Sequence, residues 1–464
     1  MKMNRLFTCL AALSTGSFLA QTSAQDMFPF VIPGLAPPAA GSVVDVSWLN
    51  DPPAGGRGFV RAQDGHFVDG RGKRLRFLAS NFTFGSCFPD HETADRLAAR
   101  LASLGINCIR FHHTDNQSAP GGIWKAGTAK KNEFDPAQLD RLDYFIAALK
   151  RHGVYADLNL HISRNYWEGE DFADGLASNR ERQEKLPIYG KAIDKINDQM
   201  IRMQRDYARA LLTRVNPYTH TRYAKEPCVA IVEINNENSL LQLNVSSLPA
   251  YYRDDVLKKW NQWLKARYGS TEKLAAAWGG REPLGTNLLP ARLTTQGGQY
   301  LGLRPGETLE AGKVAAPARS QGSPRGLAWT RFLAETERAY TDGMRNFLKN
   351  DLGVEAAIID TQASYGGIAG TYRESFNDFV DVHAYWQHPR FPGRPWDGAN
   401  WNIPNTPMVA DTNGGNLAGL CVYRVAGKPF TVSEYDRPPP NQYATEMFPM
   451  ILTRNGCVDL CHNG

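Results

Sequence analysis

At 464 residues the chain is long enough to bury a large core, as one big domain or two ordinary ones. Hydrophobic residues make up 42% and charged residues 21%, which excludes a fibre or a disordered chain. The formal charge of +5 comes without a dense Lys/Arg stripe, and the aromatics are not interleaved with basic residues, so nothing marks a nucleic-acid groove.

The N-terminus, MKMNRLFTCLAALSTGSFLAQTSAQ, has a basic start, an apolar middle and a small-residue TSA ending near Ala24. Residues 1–24 therefore read as a secretory signal peptide, which implies export to the periplasm or beyond a bacterial cell. No later stretch is apolar enough to span a membrane. Residues 25–72 read as an N-terminal extension ending in a hairpin, GFVRAQDGHFVDGRGKRLRF, with turns at Asp64-Gly65 and Gly70-Arg71-Gly72.

From residue 73 an apolar strand is followed by an amphipathic helix, repeatedly. The predicted strands are LRFLASN (75–81), INCIRFHH (106–113), VYADLNLH (154–161), CVAIVEIN (228–235), VEAAIIDT (354–361), DFVDVHAY (378–385) and KPFTVSEY (428–435). Gly105, Gly153 and Gly353 fit the ends of the helices between them. Alternation of this kind builds a parallel sheet with helices outside. A first strand without GxGxxG argues against a nucleotide-binding sheet. Polar residues finish nearly every strand, which suits a barrel, where all strand ends share one face. The expected fold is an α/β (β/α)8 TIM barrel over residues 73–464. An insertion at 241–325 follows strand four, with two amphipathic helices in YYRDDVLKKWNQWLKARYGSTEKLAAAWG. NQYATEMFPMI can start a seventh helix, and no eighth strand-helix unit is read after it.

Cys108 and Cys228 sit in or beside apolar strands and read as buried thiols. Cys457 and Cys461 are close enough in sequence to pair, and no cysteine spacing matches a zinc site.

Two carboxylates end strands four and seven, Glu237 and Glu434. Glycoside hydrolysis commonly uses such a pair, one to protonate the leaving oxygen and one to act on the other side of the sugar. The Asn236-Glu237 pair and the Glu434 of SEY resemble the acid/base and nucleophile of clan A glycoside hydrolases, most nearly family 5 and related cellulase-like enzymes. The resemblance extends over roughly residues 73–446. It implies supporting roles for Arg110 on strand two, His161 ending strand three, and His383 and Tyr385 on strand six. It implies a retaining double displacement on β-linked oligo- or polysaccharide, with Glu237 as acid/base, its pKa raised, and Glu434 as nucleophile. Arg110 and Tyr385 are then expected to aim Glu434, Asn236 to hold the sugar 2-OH, and the two histidines to contact hydroxyls or carboxylates. The resemblance also expects a Trp ending an eighth strand.

Each position also has a plainer reading. Arg110 suits an ion pair inside a barrel, His161 and His383 suit core histidines, Tyr385 suits a barrel cap, and Glu434 suits an exposed loop. His112 and His113 are subsite candidates, as are Trp167 and Trp386. Trp124, Tyr166, Trp396 and Trp401 also lie in loops where aromatic rings can stack on sugars or simply pack. No metal or other cofactor is expected, because the first strand lacks a His-x-His. The partner is a carbohydrate. A carbohydrate-binding relative without turnover is the alternative.

Overall fold

The computed structural model describes residues 41–126, 133–162, 191–279, 306–317, 323–360, 365–395, 397–437, 440–453 and 460–461, with Gly34, Pro38, Leu303 and Arg164 as isolated positions. The expected signal peptide lies outside the described residues.

The N-terminal hairpin is a small antiparallel sheet of β1 (Arg61–Gln63), β2 (His66–Val68) and β3 (Arg74–Leu75). Gln63 pairs with His66 across Asp64 and Gly65, both at positive φ (50° and 80°), the conformation a tight two-residue hairpin needs. The main sheet follows: β4 (Phe77–Thr83), β5 (Cys108–His112) and β6 (Tyr155–Asn159). A short antiparallel pair, β7 (Val215–Asn216) and β8 (Thr221–Arg222), precedes β9 (Val229–Glu233). The sheet then takes β10 (Ala357–Ile359), β11 (Val380–Tyr385) and β12 (Phe430–Asp436). All neighbours in it are parallel.

The helices between strands start and stop where side chains satisfy their ends. Asp90 caps α1 (His91–Ser103) by accepting from the Thr93 N–H at 2.8 Å. Asp135 caps α2 (Pro136–Arg151), with Pro136 in its first turn. Asn197 caps α3 (Asp198–Thr213). Gly105, Gly153 and Gly353 take positive φ (76°, 75° and 71°) beyond the helices they end, as the sequence leads one to expect.

One expectation is corrected. A two-residue eighth strand, β13 (Leu460–Cys461), lies between β12 and β4 and pairs with both. The ladder opens elsewhere: β10 and β11 are the two ends of the eight-stranded sheet. Asp378 spans that gap. Its N–H donates to Ile358 O at 3.1 Å, and its carboxylate accepts from the Ile358 N–H at 2.7 Å. The fold is a mixed α/β partial barrel of alternating parallel strands and helices, incompletely closed. The seventh helix is present as α9 (Met447–Thr453), after α7 (Gly367–Glu374) before β11 and α8 (Leu417–Cys421) before β12. Cys457 lies outside the described residues, so its pairing with Cys461 does too.

The insertion makes its own core. α4 (Ala250–Tyr268) and α5 (Thr271–Ala277) pack with the first half of α6 (Pro324–Asn346) around Trp260, Trp278, Trp329 and Phe332. Trp260 meets Trp329 edge-on at 5.2 Å and lies parallel to Trp263 at 5.5 Å, the offsets aromatic quadrupoles favour. Cys108 and Cys228 are buried in the barrel's core, and burial pushes both thiols upward in pKa. Among the described residues no helix is long and apolar enough to cross a membrane.

Candidate active site

The centre of the barrel is built on Arg110, which is fully buried. Its Nε and one terminal nitrogen grip both oxygens of Glu233 at 2.8 and 2.7 Å. That second nitrogen also donates to Asn236 Oδ1 at 2.9 Å, and the other reaches Glu434 Oε1 at 2.9 Å. The planar guanidinium fork lets one side chain fix Glu233, Asn236 and Glu434 at once. Asn81, opposite Arg110 in the β4–β5 register, accepts from it at 3.2 Å and donates to Ser433 O at 3.1 Å.

Glu434 is held from both sides. Arg110 binds Oε1, and the Tyr385 hydroxyl donates to Oε2. His112 Nε2 lies 3.5 Å from Oε1 and His383 Nδ1 lies 3.4 Å from Oε2. Burial and the Arg110 charge push the His112 imidazole well below its usual range, so it faces Glu434 as a neutral ring. Burial and the Glu434 charge push the Tyr385 hydroxyl upward, which keeps it a donor.

Glu237 approaches from the end of β9. In the run Asn235-Asn236-Glu237-Asn238 every side chain has its own partner. Asn235 points outward and donates to Tyr340 OH at 2.7 Å and to Asp360 at 2.8 Å. Asn236 is taken by Arg110, and its N–H donates to His161 O at 3.0 Å. Asn238 donates to both oxygens of Asp194, at 2.9 and 3.0 Å. Glu237 itself sits at φ 48°, in the left-handed region, and turns inward to His383 Nδ1 at 2.7 Å. Ligand atoms of Glu237, His383 and Glu434 all lie within 4.8 Å of one another.

The charge state of Glu237 differs from the expectation. Burial pushes its carboxyl upward. The hydrogen bond and charge of His383, the charge of Lys191 and the Tyr365 hydroxyl outweigh this and hold it at about 2. Burial works against the His383 cation, but Glu434, Glu237 and Asp381 together raise its pKa. Both shifts make His383 the more basic partner of this pair.

Behind His383, Ser433 Oγ lies 2.9 Å from Nε2 and donates to Asp381 Oδ2 at 2.6 Å. This contact depends on an irregularity in the β11–β12 ladder. Val382 pairs with Val432 but His383 pairs with Glu434, so Ser433 is the extra residue of a bulge.

Glu237, His383 and Glu434 are, among the described residues, a set spaced closely enough to hold an ion. Their mutual contacts are those of a proton-sharing cluster: Nδ1 and Oε1 face each other at hydrogen-bond distance, and Arg110 and Tyr385 occupy Glu434.

With this geometry in view, the comparisons with known proteins are these. The family model for glycoside hydrolase family 42, described as beta-galactosidase, matches residues 123–281. That stretch is roughly a third of the chain; it contains Glu237 but ends before Glu434. Among solved structures, the endo-1,4-beta-mannanase of Rhizomucor miehei is 13% identical, over 87% of this chain and 90% of that one, with a TM-score of 0.48. The hyperthermostable endo-1,4-beta-D-mannanase of Thermotoga petrophila is 13% identical over 84% and 88%, with a TM-score of 0.45. The agarase AgWH50C is 10% identical over 91% and 61%, with a TM-score of 0.49. No curated protein sequence matches the chain.

Of the positions read from sequence, Arg110, Asn236, Glu237, His383, Tyr385 and Glu434 come together, with His112 beside them. His161 does not join them. It lies between two buried aspartates, Nε2 at 2.8 Å from Asp194 and Nδ1 at 3.3 Å from Asp115, and supports the wall of the site. His113 stacks flat on Phe84 at 4.5 Å and meets His112 edge-on. Trp386 packs against the core beneath β11 and β12 and donates to Thr406 O at 3.0 Å. Trp124 is buried and donates to Asp115 O, so it is core and offers no sugar platform. Trp167, Tyr166 and Trp396 lie outside the described residues.

Sequence reasoning missed Glu233, Asp381, Ser433, Tyr365 and Lys191. A carboxylate inside an apolar strand was the available signal for Glu233 and Asp381, since a buried acid demands a partner. Tyr365 and Lys191 lie off the strands, where no periodicity points to them.

Proposed function

We propose that this protein is a retaining glycoside hydrolase acting on a β-linked oligo- or polysaccharide, with Glu434 as nucleophile and Glu237 as acid/base. The observation that carries this reading is the close approach of the two carboxylates, with oxygens within 4.8 Å of each other. Retaining enzymes hold their carboxyl groups about 5–5.5 Å apart, and inverting enzymes roughly 6.5–9.5 Å to admit a water.

In the first step Glu434 attacks the anomeric carbon while the glycosidic C–O bond breaks and the leaving oxygen takes a proton from Glu237. A covalent glycosyl-enzyme results. In the second step Glu237 removes a proton from water, which attacks the anomeric carbon and frees Glu434. Arg110 and Tyr385 keep Glu434 charged and aimed. The mannanase and beta-galactosidase names among the similar proteins make mannans and β-galactosides the first substrates to test.

Glu237 at about 2 supports a second reading, sugar binding without turnover, because a general acid must carry a proton. One experiment separates the two. Incubation with activated 2-deoxy-2-fluoro-β-glycosides of mannose, glucose and galactose, followed by mass spectrometry, is expected to give an adduct on Glu434 that Glu434→Gln lacks. Sugar binding with neither adduct nor hydrolysis favours the second reading. We also propose export directed by residues 1–24; N-terminal sequencing of the exported chain beginning near residue 25 is the expected result.

A further inference from the structure

We propose that Asp381 and Ser433 are positioning residues that keep the exchangeable proton of the site on the Glu237 side of His383, so that Glu237 and His383 act as one proton-sharing pair. The role rests on the glycosidase reading above.

The direction of each hydrogen bond forces this arrangement. Asp381 is buried and accepts from three groups: the Ser433 N–H at 3.0 Å, the Ser433 hydroxyl at 2.6 Å, and the Thr431 hydroxyl. Ser433 has one hydroxyl proton, and it is committed to Asp381. Toward His383 its oxygen can only accept, so Nε2 carries a proton whether the ring is charged or neutral. The proton that comes and goes is the one on Nδ1, 2.7 Å from Glu237 Oε1. A carboxylate behind a histidine selects a tautomer by the same logic in hydrolytic triads; here a serine stands between them.

The transfer balances. When substrate covers the site and displaces water, the Nδ1–H bond breaks and an O–H bond forms on Glu237, leaving a neutral ring with Nε2–H still on Ser433. Glu237 then passes this proton to the leaving oxygen. In the second half the proton from the attacking water returns through Glu237 to Nδ1. The ionised state of free Glu237 thus becomes a resting state with the acid's proton held one hydrogen bond away.

The charged and titratable groups facing His383 are Glu237 beyond β9, Glu434 on β12 at 3.4 Å, Asp381 on its own strand at 3.7 Å, and His112 on β5. Asp381 favours the Nδ1 proton through its negative charge, so removing that charge makes the pair lose its proton at lower pH.

The test uses the full chain and phenyl β-glycosides of mannose, glucose and galactose, whose poor leaving group needs protonation. Ser433→Ala and Asp381→Asn are each expected to move the alkaline limb of kcat/KM down by about one pH unit. Ser433→Thr, which keeps the hydroxyl, is expected to leave the limb in place. A purely structural role predicts lower activity with the limb unmoved in Ser433→Ala, and that result overturns the proposal. A second measurement does not need turnover. Nitrogen-15 NMR of the His383 ring, titrated upward, is expected to reach a neutral Nε2–H tautomer in the parent chain and to lose that preference in Ser433→Ala. A neutral Nδ1–H tautomer in the parent overturns the proposal. If neither these glycosides nor β-linked oligo- and polysaccharides are turned over, the glycosidase reading fails, while the tautomer still decides the hydrogen-bond chain.

Discussion

The barrel centre and the insertion hold themselves together in opposite ways. In the barrel, Arg110, Glu233 and Glu434 are a buried ionic set in which one guanidinium satisfies two carboxylates. In the insertion, Trp260, Trp278, Trp329 and Phe332 pack by shape and aromatic contact. Charges withdrawn from water are tolerated only in one geometry, because an unpaired member keeps its full desolvation cost. Aromatic packing degrades more gradually with lost volume. The comparison teaches where precise aim can be placed: the intolerant ionic set holds Glu434, while the tolerant cluster packs elsewhere by shape.

The sharpest break in this comparison comes from Glu434→Gln. Turnover is expected to fall at least about 10⁴-fold with the fold retained, as measured by phenyl glycoside hydrolysis and circular dichroism. Next, Arg110→Met leaves two buried carboxylates without their cation. A loss of about 3–5 kcal/mol is expected from denaturant unfolding. By contrast, Trp260→Leu removes volume but no charge. A cost of about 2–3 kcal/mol is expected, with the pH profile of activity unchanged. A shift of that profile would mean that the two regions are not separable.

A smaller effect concerns the site wall. Burial disfavours the His161 cation, but Asp115 and Asp194 outweigh this and raise its pKa. A raised folded pKa contributes stability that is fully present below the unfolded value, about 6.5, and is lost as pH rises through the folded value. His161→Gln is expected to remove that decline, leaving a flatter stability curve above pH 6.5. The smallest expected effect is at Lys191, whose charge helps to keep Glu237 ionised. Lys191→Met is expected to raise the Glu237 pKa, read by carbon-13 NMR of its carboxyl group, by less than about one unit.

Much of this was legible in the sequence because it rests on periodicity and end signals. The runs around Arg110, His383 and Glu434 alternate strand and helix and finish in polar residues, so their meeting at one sheet end follows from barrel geometry. The stops at Gly105 and Gly153 were equally readable. What was not legible has local causes. Strand β13 is two residues long, too short for any pattern. His161 looked like its counterpart His383, and only the placement of Asp115 and Asp194, distant in sequence, separates them. The bulge at Ser433 cannot be seen in KPFTVSEY, because it is a property of the pairing and not of the run. The charge of Glu237 depends first on His383 and then on Lys191 and Tyr365, and the approach of the last two only the folded chain reveals.

The seam between β10 and β11 is where the ring has the fewest backbone ties. Everywhere else in the eight-stranded sheet, ladders of backbone bonds tie one strand to the next, but here the Asp378 side chain and a single amide act as a clasp. Arg345 braces that carboxylate at 2.6 Å. Tyr365 follows one lip of the seam and Tyr385 stands on the other, so they bring the partners of Glu237 and Glu434 to opposite sides of it. Loosening the clasp would separate β10 from β11 without breaking any ladder of the sheet, and hydrogen exchange at Ile358 and Asp378 would time that opening.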